Sequence, residues 1–205
     1  MTRLARGCEV RGTQPGWSSV IAEEDNLDDV AQVIAEAIDA WPTSARLKRC
    51  ALPVLAYRAG DLLDHEVLLV RRHGDAVAVA AWQPGCDETD PDGGSSTLLH
   101  GLYVVARAQS QAIGTALQAI VAERAVAAGF HGLHVKAERF AASYFQQCGY
   151  LHLEPDERPG EPDPYPYRFW QSCAGILTAM ARGPIYRTLR AETLPTLSVN
   201  PLNKE

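Results

Sequence analysis

Apolar positions along this chain recur with two periods, and the switches between them mark out its elements. Leu27, Val30, Ile34, Ala37, Ile38 and Trp41 fall at helical spacing, which predicts a helix with one apolar face running to Pro42. Asp25 reads as its N-cap, with Asp28 and Asp29 well placed in the first turn. A short strand, Val20-Ile21-Ala22, precedes it. A second helix is expected from Ser44 to about Tyr57, ended or kinked by Pro53. Glu66–Arg72 and Ala76–Trp82 flank the turn residues His73-Gly74-Asp75 and predict an antiparallel hairpin. Pro84 to Ser96 is rich in Pro, Gly, Asp and Ser and reads as a loop.

The second half alternates more strictly. Thr97–Val105 reads as a strand, and Gln111–Ala128 as a helix with Ile113, Leu117, Ile120, Val121 and Ala125 on its apolar face, ended by Gly129. A strand His131–Ala137, a short helix Ala141–Cys148, and strands at Tyr150–Leu153 and Tyr167–Gln171 follow. Ala174 to about Leu189 reads as one more helix, weakened by Gly183-Pro184. This order predicts an α/β chain with a central mixed, mostly antiparallel sheet and helices on both faces. Residues 1–205 are expected to form one domain, with an irregular arm over 1–19 and an extension over 174–205.

Composition narrows the function. Hydrophobic residues make up 46% of the 205, enough for a packed core. A formal charge of −6 argues against a partner read through its phosphates, so no nucleic acid is expected. No membrane-spanning run or leader pattern occurs, and a cytoplasmic setting is the simplest expectation. The five cysteines are scattered without a Cys-x-x-Cys pair, so neither a metal site nor a redox pair is expected and a reduced setting is the simplest reading.

Leu98 to Tyr150 carries the candidate chemistry. Leu99-His100-Gly101-Leu102-Tyr103-Val104 lies on a strand, and Gln109-Ser110-Gln111-Ala112-Ile113-Gly114-Thr115 opens a helix. Ala141-Ala142-Ser143-Tyr144-Phe145-Gln146-Gln147-Cys148-Gly149-Tyr150 follows the next strand. A helix N-terminus offers unpaired N–H groups and positive partial charge to a pyrophosphate, provided that small residues such as Ala112 and Gly114 let it approach. An exposed strand edge can pair with an extended, amide-bearing arm much as it would with a peptide. The segment resembles the core of the GNAT superfamily of acyl-CoA-dependent N-acetyltransferases, whose pattern is Gln/Arg-x-x-Gly-x-Gly/Ala after a strand ending in Val, then Ala-x-x-x-Tyr-x-x-x-Gly-Phe.

The resemblance implies acetyl-CoA as cosubstrate, bound by Leu102, Tyr103, Val104, Gln109, Gln111, Ala112, Ile113, Gly114, Thr115 and Phe145. It implies direct acetyl transfer to a primary amine, small-molecule or protein, with a backbone N–H near Val104 stabilising the oxyanion. Two positions depart from the pattern. Ala112 stands where the first motif glycine is usual, and Phe145 where the general-acid tyrosine is usual; a phenyl ring cannot protonate a thiolate. Tyr144 is the adjacent candidate, turned about 100° on the helix. His100 is the first candidate base, because period-2 alternation places it on one face with Leu102 and Val104. Glu138 is the second. Asp87, Glu88, Asp90 and Asp92 could attract a cationic amine, and Trp41, Tyr57 and Trp82 could line an aromatic pocket or fill the core. The alternative reading is a catalytically retired domain that binds acyl-CoA as a sensor or interaction module. A homodimer through the C-terminal extension is a further expectation.

Overall fold

The computed structural model describes residues 16–89, 91–154 and 167–193. Seven strands form one sheet in the order β1-β2-β3-β4-β5-β7-β6. They are β1 (Trp17–Ile21), β2 (Glu66–Arg72), β3 (Asp75–Thr89), β4 (Ser95–Val104), β5 (Gly132–Lys136), β6 (Leu151–Leu153) and β7 (Arg168–Ser172). Every neighbouring pair is antiparallel except β4 with β5. The helices are α1 (Leu27–Asp39), α2 (Ala45–Leu55), α3 (Ile113–Ala127), α4 (Ala142–Gln147), α5 (Cys173–Met180) and α6 (Pro184–Thr193). This is the mixed α/β architecture that the element order predicted.

The middle strands are buried on both faces. Val67 to Val70 of β2 and Ala76 to Trp82 of β3 are buried at every position, so helices must cover both sides of the sheet. Their small side chains (Ala76, Ala78, Ala80, Ala81) let α1 and α3 pack closely. Glu66 holds the layers together from the strand end. It accepts from Trp82 Nε1 at 2.7 Å and pairs with the Arg124 guanidinium of α3.

Local signals differ from expectation in four places. The first helix begins at Leu27 after a 3-10 turn, where Asn26 Oδ1 accepts from the Glu23 N–H at 3.1 Å; Asp25 is not the cap. Ser44 does cap α2, accepting from the Leu47 N–H, and Pro53 is tolerated in its last turn. The stretch from Pro84 is not all loop. The β3 backbone resumes pairing with β4 at Glu88 and Thr89 after a bulge that contains the N–H-lacking Pro84. The first strand starts at Trp17, where it pairs with Arg72, and not at Val20.

Over its described residues, up to Thr193, the C-terminal extension forms two helices, broken at Gly183-Pro184, that complete the core of their own chain. Both α5 and α6 pack on α3, and α6 also packs on β1. Ile176 and Leu189 are fully buried there. Ser19 Oγ donates to the Leu189 carbonyl at 3.0 Å, and the Tyr186 hydroxyl donates to Glu123 at 2.5 Å. That double coverage explains why buried residues of α3, from Ala116 to Ala122, run around the helix and not along one stripe.

Candidate active site

The site begins where β4 leaves β5. These parallel strands pair only from Ser96↔Gly132 to Leu99↔Val135. Beyond Leu99 the β4 edge stands open. Val105 N–H donates to the Val77 carbonyl of β3 at 3.0 Å. Alternation along an antiparallel ladder therefore aims Tyr103 and Gly101 at β3 and turns the N–H groups of Leu102 and Val104 to the open side. Gln109 Nε2 donates to the Val104 carbonyl at 3.1 Å. On the other margin, Ala81 faces Gly101 while Trp82 faces Leu99, so His100 is the extra residue of a β-bulge. His100 is exposed, and Leu102 and Val104 are half-buried, whereas Gly101 and Tyr103 between them are buried.

The N-terminus of α3 meets this edge. Ser110 and Ala112 both have left-handed backbones, with φ of 60° and 59°. The first helical bond runs from the Ala116 N–H to the Ala112 carbonyl at 3.0 Å. The N–H groups of Ile113, Gly114 and Thr115 therefore have no acceptor within the helix. Together the edge and the helix start enclose a cavity of about 950 Å³. An extended ligand with amides along its length and anionic charge at one end fits both surfaces.

His100, Glu138, Tyr144, Phe145, Leu102, Tyr103, Val104, Gln109, Ala112, Ile113, Gly114 and Thr115 all line this cavity. Gln111 does not. Its side chain accepts from Arg72 at 3.0 Å and donates to the Arg107 carbonyl at 3.3 Å, tying the loop to β2 instead. Glu138 is exposed at the start of a 3-10 turn, with Lys136 nearby on the same wall. Trp41 lines the cavity at its α1 end, in contact with Phe140 at 4.8 Å between ring centroids. Trp82 is instead a core residue bound to Glu66. Of the acidic group, Asp90 lies outside the described residues.

Two side chains have specific environments. His100 Nδ1 shares a 2.7 Å hydrogen bond with the hydroxyl of buried Tyr57. A Cβ at position 101 would stand 2.8 Å from that hydroxyl, so Gly101 is what lets Tyr57 reach the strand. Although the residue is exposed at the cavity, packing of its ring against Tyr57 and His65 strips water from it and lowers the His100 pKa, with the charges of His65 and Lys136 acting the same way and Asp61 opposing them. Tyr144 Oη accepts from Gln118 Nε2 at 2.8 Å, and Gln118 also donates to the Gly114 carbonyl at 3.2 Å. Burial, then Cys148, raises the Tyr144 pKa and keeps the phenol protonated. Phe145 turns into the core, stacked on Phe169 with centroids 5.8 Å apart. Sequence reasoning missed His65, Gln118 and the polar role of Tyr57. Gln118 carried a signal, as a fully buried amide between Leu117 and Ile120 on an apolar helix.

No protein-family model matches the sequence, and no curated protein does either. Solved structures share its fold. A GCN5-related N-acetyltransferase from Rhodopseudomonas palustris superposes with a TM-score of 0.60 at 20% identity, over 81% of this chain and 99% of that one. The PaiA N-acetyltransferase from Thermoplasma acidophilum, in complex with coenzyme A, gives 0.59 at 12% identity over 76% and 98%. AtaTR bound with acetyl-CoA gives 0.56 at 16% identity over 80% and 98%. The chain thus has the fold of the GNAT acetyltransferases.

Proposed function

We propose that this chain is an acetyl-CoA-dependent N-acetyltransferase that moves an acetyl group directly to a primary amine. The observation that carries the reading is the meeting of an open β4 edge with an unpaired helix N-terminus in one cavity. Two of the structures that share the fold hold coenzyme A or acetyl-CoA. In this reading the N–H groups of Ile113, Gly114 and Thr115 hold the pyrophosphate. The outward amide of Leu102 pairs with the pantetheine arm, which leaves the Val104 N–H for the reacting carbonyl.

His100 takes the ammonium proton of the acceptor. With Nδ1–H donating to the Tyr57 oxygen, the Nε2 lone pair serves as base. The amine then attacks the thioester carbon, and the Val104 N–H stabilises the oxyanion that forms. Collapse expels the thiolate; the Tyr144 phenol supplies its proton and regains one from the nitrogen of the intermediate, so the phenol is restored. Glu138 and Lys136 at the mouth select the charge of the acceptor, and Trp41 and Phe140 contact its apolar part. The chain works as one domain in the cytoplasm; among its described residues no helix is long and apolar enough to cross a membrane.

Titration with acetyl-CoA and coenzyme A while following thermal unfolding tests the binding half, because a ligand of the native state raises apparent stability. Lack of any shift at millimolar ligand defeats the reading. Thiol release over a panel of small amines, amino acids and peptides tests the chemical half. Binding without turnover on the whole panel would leave the retired-domain alternative.

A further inference from the structure

Behind His100 stand two more rings. The His65 and His100 centroids are 4.5 Å apart with the rings tilted at 66°, and Tyr57 lies 5.7 Å from each. His65 Nδ1 is 3.1 Å from the Asp61 carbonyl. A carbonyl only accepts, so Nδ1 carries the proton and Nε2 is left with its lone pair. That Nε2 is buried and has no hydrogen-bond partner. A buried acceptor left unpaired costs free energy and calls for an explanation.

A second cavity, of about 410 Å³, reaches the other side of this cluster. His65 lines it together with Glu66 and Pro84, and Gln83 lines both this cavity and the larger one. The two imidazoles therefore bridge the reaction cavity and a separate volume wide enough for water. The charged groups grade the path. Lys136, from β5, disfavours a positive charge at His100, while Asp61, in the turn before β2, favours one. Tyr57 faces the pair from the segment after α2 as a neutral phenol, and the Glu66 carboxylate is committed to Arg124 and Trp82.

We propose that His65 is a second acid–base group of this site, taking the acceptor's proton from the His100 imidazolium and releasing it to water in the second cavity. The inference rests on the acetyltransferase reading. An N–H bond of the His100 imidazolium breaks and an N–H bond forms at His65 Nε2. Because Nε2 is buried in the resting ring, the imidazolium then turns this N–H to the second cavity, gives one proton to water there and returns to neutral. Amide formation from an ammonium and a thioester liberates one proton, and this route exports it without reopening the occupied cavity. A small ring turn, or one water, closes the gap between the rings.

The test compares His65→Asn and His65→Ala with wild type on an acceptor amine that wild type acetylates. Asn keeps an N–H for the Asp61 carbonyl but has no basic nitrogen, so a purely structural histidine is replaced without effect. The relay requires kcat of H65N to fall about 100-fold, the low end of general acid–base contributions, with the KM for acetyl-CoA unchanged. It also requires the acidic limb of the kcat profile to move to higher pH, and free imidazole, entering from the second cavity into the space that H65A vacates, to restore turnover. Wild-type rates and pH profile in H65N overturn the relay, as does a slow H65N with an unmoved limb and no imidazole rescue in H65A. Failure of wild type to acetylate any amine defeats the acetyltransferase reading itself, and the relay with it.

Discussion

The contact between Gly114 and Tyr144 gives the most direct probe of the site, because adding one carbon to the glycine and removing one oxygen from the tyrosine have coupled outcomes. A Cβ built on Gly114 lies 2.6 Å from Tyr144 Oη, closer than real Cβ contacts come. Its next neighbours are Tyr144 Cζ at 3.5 Å and Leu102 Cδ2 at 3.9 Å, both ordinary contacts. Gly114→Ala must therefore displace the hydroxyl, and overpacking of this kind costs about 1–3 kcal/mol. Helix propensity returns up to about 1 kcal/mol, leaving a net loss of about 1–2 kcal/mol. Tyr144→Phe alone takes an acceptor from Gln118 and costs about 1 kcal/mol. In the Tyr144→Phe background the clash is gone, so adding Gly114→Ala is neutral or stabilising by up to about 1 kcal/mol. The coupling energy is then about 2 kcal/mol, well above the few tenths expected of independent sites. Urea or thermal unfolding of the four proteins measures it, at about 2–4 °C per kcal/mol for a chain of this size. Equal costs of Gly114→Ala in both backgrounds would refute the placement of Tyr144 over the helix start.

Three further outcomes are expected. Ala112→Gly relieves a left-handed alanine, which costs about 1–2 kcal/mol, against a glycine entropy term of about 0.4–1 kcal/mol; net stabilisation of about 0.5–1 kcal/mol and tighter binding of coenzyme A by calorimetry are expected. His100→Gln lowers kcat by at least about 100-fold and abolishes the acidic limb of the pH–rate profile. In wild type that limb lies below the ordinary imidazole value of 6.5, because burial favours the neutral ring. The same lowered pKa means that unfolded chain binds more protons than native below pH 6.5, so the His100 contribution to stability falls as pH drops through that window. Leu189→Ala empties a fully buried position between α6 and its neighbours and costs about 2–5 kcal/mol in unfolding experiments. A negligible cost there would mean that the extension is not part of the core.

Periodic segments were readable because burial on one face leaves its period in the sequence. The strand Glu66–Arg72 has the same bounds in sequence and structure, and α3 differs by two residues at its start and one at its end. Its start at Ile113 follows from backbone angles at Ser110 and Ala112 that neither side chain announces. The pairing of β3 beyond Pro84 was hidden because proline and glycine mark both loops and bulges. The part of the cavity lining between His100 and Thr115 could be located because it lies close together along the chain. His65 and Gln118 could not be assigned to it, since their partners are 35 and 26 residues away along the chain. Gln111 lies outside the cavity lining because Arg72 from the hairpin holds its side chain elsewhere, a long-range contact that the motif spacing does not show.

The replacement of the usual tyrosine by Phe145 has a consequence for how the acid could be supplied. The helix α4 has only six residues, and its neighbours Tyr144 and Phe145 point to different places. Phe145 joins Tyr150 and Phe169 in an aromatic cluster that anchors α4 to the sheet. A hydroxyl there would enter this aromatic packing at a cost in free energy. Tyr144 instead leans over the first turn of α3, where the absent side chain of Gly114 makes room for its oxygen and Gln118 holds it. The phenol that can donate is thus positioned by α3 and not by the residue spacing within α4. In this arrangement the glycine, the buried glutamine and the tyrosine form one unit, so a change at any of the three alters both the helix start and the candidate acid.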